Sequence, residues 1–482
     1  MKYIIFFFAA VIALTGCKKI LTEEPKSSAA EVFYNTAPEV ETAVNAIYGP
    51  LRDPNCLSGL YPAQIETYGD YIYGRGSYLP LNAYQTLDNT NITRTGQMWD
   101  QFYRAIRNAN LVIANAPKGT NISAADVARY VAEAKFLRAF TYFLVVRNWS
   151  GVPIRTEENM TEQDIKKSSE AEVYDLIVKD LTEAETALPD VSSLPGRPSR
   201  WSAKSVLSEV YMYQKKYTEA MQKTNEVIAS GKFSLVPVTA SADFEKVFGP
   251  DVVTTSEEIF YLKFSKQGTG QGWQFVMFAH HPGARYHGAG GFYAHYSDSV
   301  TNPAISRWST SDMRKAFNLY SYDIGLGRTS VLFRKFKDIA ASTQTSAGND
   351  YPFYRFADIL LLYAEAASRA NNGPTALALE RLNMVHRRAY GQVPTSPSAL
   401  DFKISDYNAQ TFLDEIVKER GYETVYEAKR WHDLKRMGIV KAKISEVKGV
   451  TVADKFLLWP IPLSEMNYNK ALDPVKDQNP GY

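Results

Sequence analysis

Apolar residues return at helical spacing over most of this chain, in stripes separated by polar faces. Val40, Ala43, Val44, Ile47 and Leu51 share one stripe, with Pro38 near its start, where a missing N–H costs least. Phe102, Ile106, Ala109 and Ile113 form a second, within a helix predicted over 96–115. Val127, Val131, Ala134, Phe140 and Phe143 form a third, within 124–149. Similar patterning predicts helices over 168–188, 201–215, 217–230, 356–371 and 374–390, and a last one over 409–437. That last helix closes at Gly438 behind Lys435 and Arg436, a C-terminal cap with favourable dipole charges. Two pairs stand out: 201–215 with 217–230 across a Lys215-Lys216 turn, and 356–371 with 374–390 across Gly373-Pro374. Paired helices of this length around a short turn look like tetratricopeptide units, although their period is too irregular for a regular solenoid.

The pattern fails in two places. Residues 55–95 are rich in Gly, Tyr and Asn without sustained periodicity, which predicts loops. Between 235 and 350, short β-branched or aromatic runs such as Ile259–Phe264 alternate with Gly-, Ser- and His-rich stretches. Long loops carried on a rigid scaffold are where binding usually sits. The expected fold class is therefore mostly α: a tetratricopeptide-like helical scaffold with an irregular loop-rich region and short strands. The expected organisation is a signal peptide over 1–16, a lipid-anchored tether over 17–36, a helical region over 37–234, a loop-rich insertion over 235–350 and a C-terminal helical region over 351–482.

The N-terminus changes the picture most. Lys2 precedes an uninterrupted apolar stretch from Ile4 to Leu14, too short to span a bilayer but right for a secretory signal. Directly after it, Leu14-Thr15-Gly16-Cys17 resembles the lipobox of bacterial lipoproteins, which implies cleavage before Cys17 and acylation of its thiol. At least two acyl chains are needed for stable anchoring, and such a cysteine would carry them. The only other cysteine is Cys56, so no intrachain disulfide can form once Cys17 is acylated. A formal net charge of +2 lacks the concentrated basic character that nucleic-acid binding requires. Aromatic residues make up 13% of the chain, with 31 tyrosines, and that surplus suits polar ligands with apolar faces.

A sugar ring is such a ligand, with one apolar C–H face and a rim of hydroxyls. The strongest candidate platform is 273–296, where Trp273, His281, Tyr286, Tyr293 and Tyr296 are interleaved with Gly283, Gly288, Gly290 and Gly291. A second is 66–78, where Asp70, Tyr71, Tyr73 and Tyr78 combine rings with hydrogen-bonding groups, beside Glu66 and Arg75. Four of the six histidines fall within 280–295, but their spacing matches no familiar metal-ligand pattern. No nucleophile elbow, phosphate loop or dinucleotide fingerprint is present, so neither catalysis nor a cofactor is expected. Arg420, Glu423, Glu427 and Arg430 would stand at i, i+3, i+7 and i+10 on the last predicted helix, an opposite-charge ladder with a structural role.

The C-terminal residues also carry a resemblance. Arg355-Phe356-Ala357-Asp358-Ile359-Leu360-Leu361-Leu362-Tyr363-Ala364-Glu365-Ala366, Leu382-Asn383 with Arg387-Arg388-Ala389, and Arg430-Trp431-His432-Asp433-Leu434-Lys435-Arg436-Met437-Gly438 resemble the SusD/RagB family. Trp459-Pro460-Ile461-Pro462 and Gln478-Asn479-Pro480-Gly481-Tyr482 match its closing motifs. Leu21-Thr22-Glu23-Glu24-Pro25, Ala43-Val44-Asn45-Ala46-Ile47-Tyr48 and Trp99 through Asn110 agree at the other end. Thr424, Ala428 and His432 depart from it, Ala428 standing where glycine is common. The resemblance implies a SusD-like outer-membrane lipoprotein of Bacteroidota, facing the cell exterior. It would bind oligosaccharides and deliver them to a SusC-like TonB-dependent transporter. The rival readings are a secreted glycan-processing enzyme and a transporter lid handling peptides or glycoproteins.

Overall fold

The computed structural model describes residues 33–84, 87–267 and 270–482; the lipobox cysteine Cys17 lies outside them. Helix accounts for 52% of the chain and strand for 7%, so the protein is mostly α. The long helices are α1 (Ala37–Leu51), α2 (Leu60–Thr67), α3 (Asn89–Asn115), α4 (Ala124–Trp149), α5 (Glu170–Ala187), α6 (Arg200–Tyr213) and α7 (Tyr217–Ala229). They are followed by α8 (Phe356–Ala370), α9 (Ala376–Ala389), α10 (Ala409–Glu423) and α11 (Arg430–Arg436).

Several helices begin at a local cap. The Glu39 carboxylate accepts the backbone N–H of Thr36 at 2.8 Å, closing the start of α1. Its buried residues, Val40, Ala43, Val44, Ile47 and Leu51, are the stripe read from the sequence. Helix α3 starts seven residues before the expected 96, because Asp88 caps it by accepting the N–H of Asn91 at 2.9 Å. Its first two turns are polar, so no apolar stripe marks them. Neighbouring helices stack in series, α1 on α3, α3 on α4, α4 on α5, and so on through α6, α7 and α8 to α9. Helix α8 is buried along nearly its whole circumference, which makes it the axis of the C-terminal half. Trp99 is core, with its ring edge-on to Trp149 at 5.4 Å.

The sequence expectation of one helix over 409–437 does not hold. Helix α10 ends at Glu423, α11 begins at Arg430, and residues 424–429 form a tight loop with Tyr426 and Ala428 at positive φ of 62° and 55°. The break is set by groups far away in sequence. The Tyr426 ring lies between Phe275 and Phe333, at 4.4 and 4.9 Å. The Tyr426 N–H is accepted by the Tyr71 hydroxyl at 2.8 Å, and the Ala428 N–H by the Glu66 carboxylate at 2.5 Å. Side chains from the N-terminal region thus replace the carbonyls that a continuous helix would supply.

The charge ladder consequently dissolves into separate pairings. Arg420 is paired with Asp433 at 3.0 Å, and Arg430 makes a two-bond contact with Asp70 at 2.7 and 2.9 Å. Glu423 and Glu427 instead face Arg355, Arg388 and Lys335, all buried. The role remains structural, but the partners lie on other elements rather than along one helix face.

Residues 235–350 carry more strand than loop-reading suggests. Strands β1 (Tyr73–Gly74), β3 (His295–Asp298), β5 (Ser330–Phe333) and β4 (Leu319–Ser321) form an antiparallel sheet in that spatial order. Strand β2 (Glu258–Leu262) pairs with β6 (Tyr351–Arg355), and Phe260 and Phe353 pack on Phe140 of α4.

Candidate ligand-binding site

The two segments singled out in the sequence meet at the edge of the four-stranded sheet. Pairing of β1 with β3 sets Tyr73 opposite Tyr296 and Gly74 opposite His295, and Arg75 donates its N–H to the Ala294 carbonyl at 2.8 Å. Two glycine positions make this approach possible. A Cβ at Gly74 would lie 2.6 Å from the Tyr78 carbonyl oxygen, and one at Gly291 only 2.1 Å from that of His280.

Beside this edge opens a cleft of about 510 Å³, walled by Leu60, Arg75, Ser77, Tyr78, Arg94, Phe278, Phe292 and Tyr293. Phe292 is 49% exposed, with its ring 6.0 Å from that of Phe278. The Arg75 guanidinium lies over the Tyr293 ring at 4.1 Å, and that of Arg94 over Tyr78 at the same distance. Behind Tyr293 sits His281 at 4.4 Å, itself stacked on Tyr322 at 4.4 Å. Tyr293 is held at φ 38°, in the left-handed region that non-glycine residues seldom occupy, and such strain often marks ligand contacts. The ring faces, hydroxyls and guanidinium edges can stack on an apolar ligand face and hydrogen-bond its rim.

The structure sorts the expected residues. Tyr293, Tyr78 and His281 converge on the cleft or its backing, and Tyr73 with Tyr296 forms a half-buried ring pair at 5.4 Å next to it. Tyr286 stands further along the same loop, in edge contact with Tyr320 at 4.9 Å and receiving a hydrogen bond from Arg334 at 3.2 Å. Three expectations are corrected. Trp273 has no exposed surface: it stacks on Tyr351, packs on Phe336 and donates its indole N–H to the Leu57 carbonyl at 3.2 Å. Tyr71 is buried, its hydroxyl donating to Glu66 and accepting from Tyr426. Asp70 is consumed by Arg430, and the Arg430 and Lys448 charges overcome burial to hold its carboxyl below the usual range. All three serve the fold because the interior needed their rings and charge more than a ligand could. Arg94 and Tyr322 escaped sequence reading, since Arg94 lies on a polar helix turn and Tyr322 outside the two segments 66–78 and 273–296.

His295 is the pin beneath the site. Thr67 donates its hydroxyl proton to the Ala63 carbonyl, so the Thr67 oxygen accepts from His295 Nε2–H at 2.9 Å. His295 Nδ1 is then left to accept the Tyr426 hydroxyl at 2.8 Å. Burial pushes this imidazole down to about 3. Its folded value is below that of the unfolded chain, so stability from His295 is complete above about pH 6.5 and is lost as pH falls towards 3. The slope is about 1.4 kcal/mol per pH unit. Urea unfolding of H295Q at pH 7, 6 and 5 should show a shallower loss of stability than wild type by about that slope; parallel curves would refute the assignment.

A second cleft, of about 570 Å³, lies between residues 303–309 and α10, where Trp308 and Tyr422 stack at 4.4 Å and 4°. Its charged groups are already engaged: Asp70 with Arg430, Glu419 with Arg314, Glu446 with Arg307 and Lys443. The first cleft is the better candidate because neither of its cations is paired with a carboxylate among the described residues and the Phe292 ring keeps an exposed face.

Comparison with known proteins gives one consistent result. The SusD family model matches residues 307–482, and a model described as starch-binding, associating with outer membrane, matches residues 27–212. SusD-like protein P25 of Formosa agariphila is 24% identical, covering 100% of this chain and 99% of its own. SusD-like protein P38 of the same organism is 27% identical over 95% of each. A SusD homolog from Bacteroides thetaiotaomicron superposes with TM-score 0.82 at 21% identity, covering 95% of this chain and 100% of its own. A laminarin-binding SusD-like protein superposes with TM-score 0.72 at 22% identity, covering 93% and 100%. With family models matching from both ends, relatives aligned along the full length and a shared fold, the chain belongs to the SusD/RagB family.

Proposed function

We propose that this protein is a surface lipoprotein that captures oligosaccharides in the Phe292–Tyr293 cleft and passes them to a SusC-like TonB-dependent outer-membrane transporter. The observation that carries the reading is the aromatic and guanidinium cleft at the sheet edge. Support comes from the family description and from the laminarin-binding relative that shares the fold. The protein acts here as a binder without catalysis. Glycoside hydrolysis ordinarily needs two carboxyl groups flanking the scissile bond, and the residues lining this cleft include no Asp or Glu.

A glycan array probed with the full mature protein, beside glycoprotein and peptide arrays, tests the ligand class. Binding confined to peptides would replace the reading with that of a peptide-handling lid, and turnover of a bound glycan would make it an enzyme. Attachment is tested separately. C17A should move the protein from the membrane to the soluble fraction, because the other thiol, Cys56, is buried and follows no lipobox. Retention of labelled palmitate by that variant would refute acylation at Cys17. Mild-detergent pull-down of the tagged lipoprotein should recover the transporter with or without sugar.

A further inference from the structure

Within this reading of the cleft, we infer that the glycan it takes is anionic, carrying uronate carboxylates or sulfate esters. Elsewhere the protein neutralises its well-buried guanidiniums. Arg138, Arg147, Arg314, Arg355, Arg388 and Arg436 each lie within 3.1 Å of a carboxylate oxygen. The two cleft arginines are half-buried and line an opening instead of the interior. Among the described residues neither Arg75 nor Arg94 forms an ion pair. Arg75 has only the Tyr293 carbonyl at 3.4 Å, and Arg94 has Ser77 Oγ at 2.7 Å and Asn91 Oδ1 at 2.9 Å.

The sequence agrees. The residues that line the cleft include Arg75 and Arg94 and no acidic residue, and the acids nearest in sequence are used elsewhere, Asp70 by Arg430 and Asp88 as the cap of α3. The charge balance of the whole molecule hides this local excess. A guanidinium lying over a tyrosine face is ordered by that ring, and the N–H groups it does not use within the protein can meet a planar or tetrahedral oxyanion. Two such forks beside the exposed Phe292 ring would hold a sugar by one apolar face and by its acidic substituents. A neutral sugar would leave both cations without a counter-charge.

The test uses the mature protein on matched polysaccharide pairs. Pectate and alginate are set against their carboxyl-reduced forms, sulfated galactans against their desulfated forms, with native laminarin as neutral reference and poly-L-glutamate as a sugar-free polyanion. Binding should favour one acidic member over its neutralised twin, and the sensitive pair tells carboxylate from sulfate. That binding should weaken between 0.05 and 0.5 M NaCl. R75Q and R94Q should each reduce it about 10- to 100-fold without changing the thermal melt, and the lysine variants should recover part of it. Equal binding of both members of every pair, or binding of laminarin that R75Q and R94Q leave intact, would overturn the charge inference. If F292A abolished such binding, the cleft itself would stand as a neutral-glycan site. Poly-L-glutamate binding as tightly as any glycan would overturn the inference too. Failure to bind any member would count against both the inference and the proposed function.

Discussion

E423Q is expected to destabilise the fold by about 3–5 kcal/mol while leaving the ligand affinity of the folded fraction unchanged. Glu423 is buried and receives Arg355 at 2.7 Å, Arg388 at 2.5 Å and Arg314 at 3.3 Å. Glutamine keeps the shape but removes the charge, and it turns an NH₂ group towards one of three guanidiniums. Arg355 retains Glu427 and Arg388 retains Glu257, so the damage is partial rather than complete. The neighbouring cations outweigh burial and hold the Glu423 carboxyl well below the usual range, and they hold those of Glu419 and Glu427 at about 2. A depressed carboxyl contributes stability that is complete above the ordinary value of about 4.5 and is lost as pH falls towards 2. The network therefore makes the protein acid-labile in that window, and E423Q should flatten the stability curve there. Urea unfolding followed by circular dichroism, at pH 7 and at pH 3, reads both effects. A change below about 1 kcal/mol at pH 7 would mean that this cluster does not hold the fold.

F292A and Y293A should each weaken binding of the natural glycan by about 1–3 kcal/mol, roughly 5- to 150-fold. Phe292 loses an exposed stacking face. Tyr293 loses the ring on which the Arg75 guanidinium rests, so its variant should also disorder that cation. Both rings lie outside the helical core, so the thermal melt should hardly move. W273A supplies the contrast. It opens a hole between Tyr351, Phe336 and Phe275, which should cost about 3–5 kcal/mol of stability and leave the intrinsic affinity alone. Calorimetry with the glycan, beside thermal melts, measures both quantities. If F292A and Y293A bind like wild type, the platform lies elsewhere, with the Trp308–Tyr422 cleft next in line.

How much of this was legible beforehand differs between residues. The stripe of α1 was read residue for residue, because Val40 to Leu51 repeat within one helix and need no distant partner. The start of α3 is marked in the sequence only by the single cap Asp88 before a polar turn, and no apolar stripe announces it. The loop over 424–429 was invisible, since apolar and charged periodicity continues through it and the groups that break the helix lie at Glu66, Tyr71, Phe275 and Phe333. Within the candidate site, both aromatic segments were found by composition, but their junction through β1 and β3 was not.

What the sequence determined by itself is the helical scaffold, the aromatic surplus over 273–296 and the family motifs at both ends, all of which are carried by neighbouring positions. Which tyrosine or tryptophan keeps a free face was decided only by the tertiary structure. So was the partner that each charge finds: Asp70 is separated from Arg430 by 360 positions, and Glu66 from Ala428 by 362. The physical reason is one of range. Helix periodicity arises from hydrogen bonds four residues apart, whereas the exposure of a ring and the neutralisation of a buried charge depend on whatever surface folds against them. Trp273 and Tyr293 look alike in sequence; Phe336 and Tyr351 close over the one, whereas the other, between Arg75 and His281, stays part-exposed.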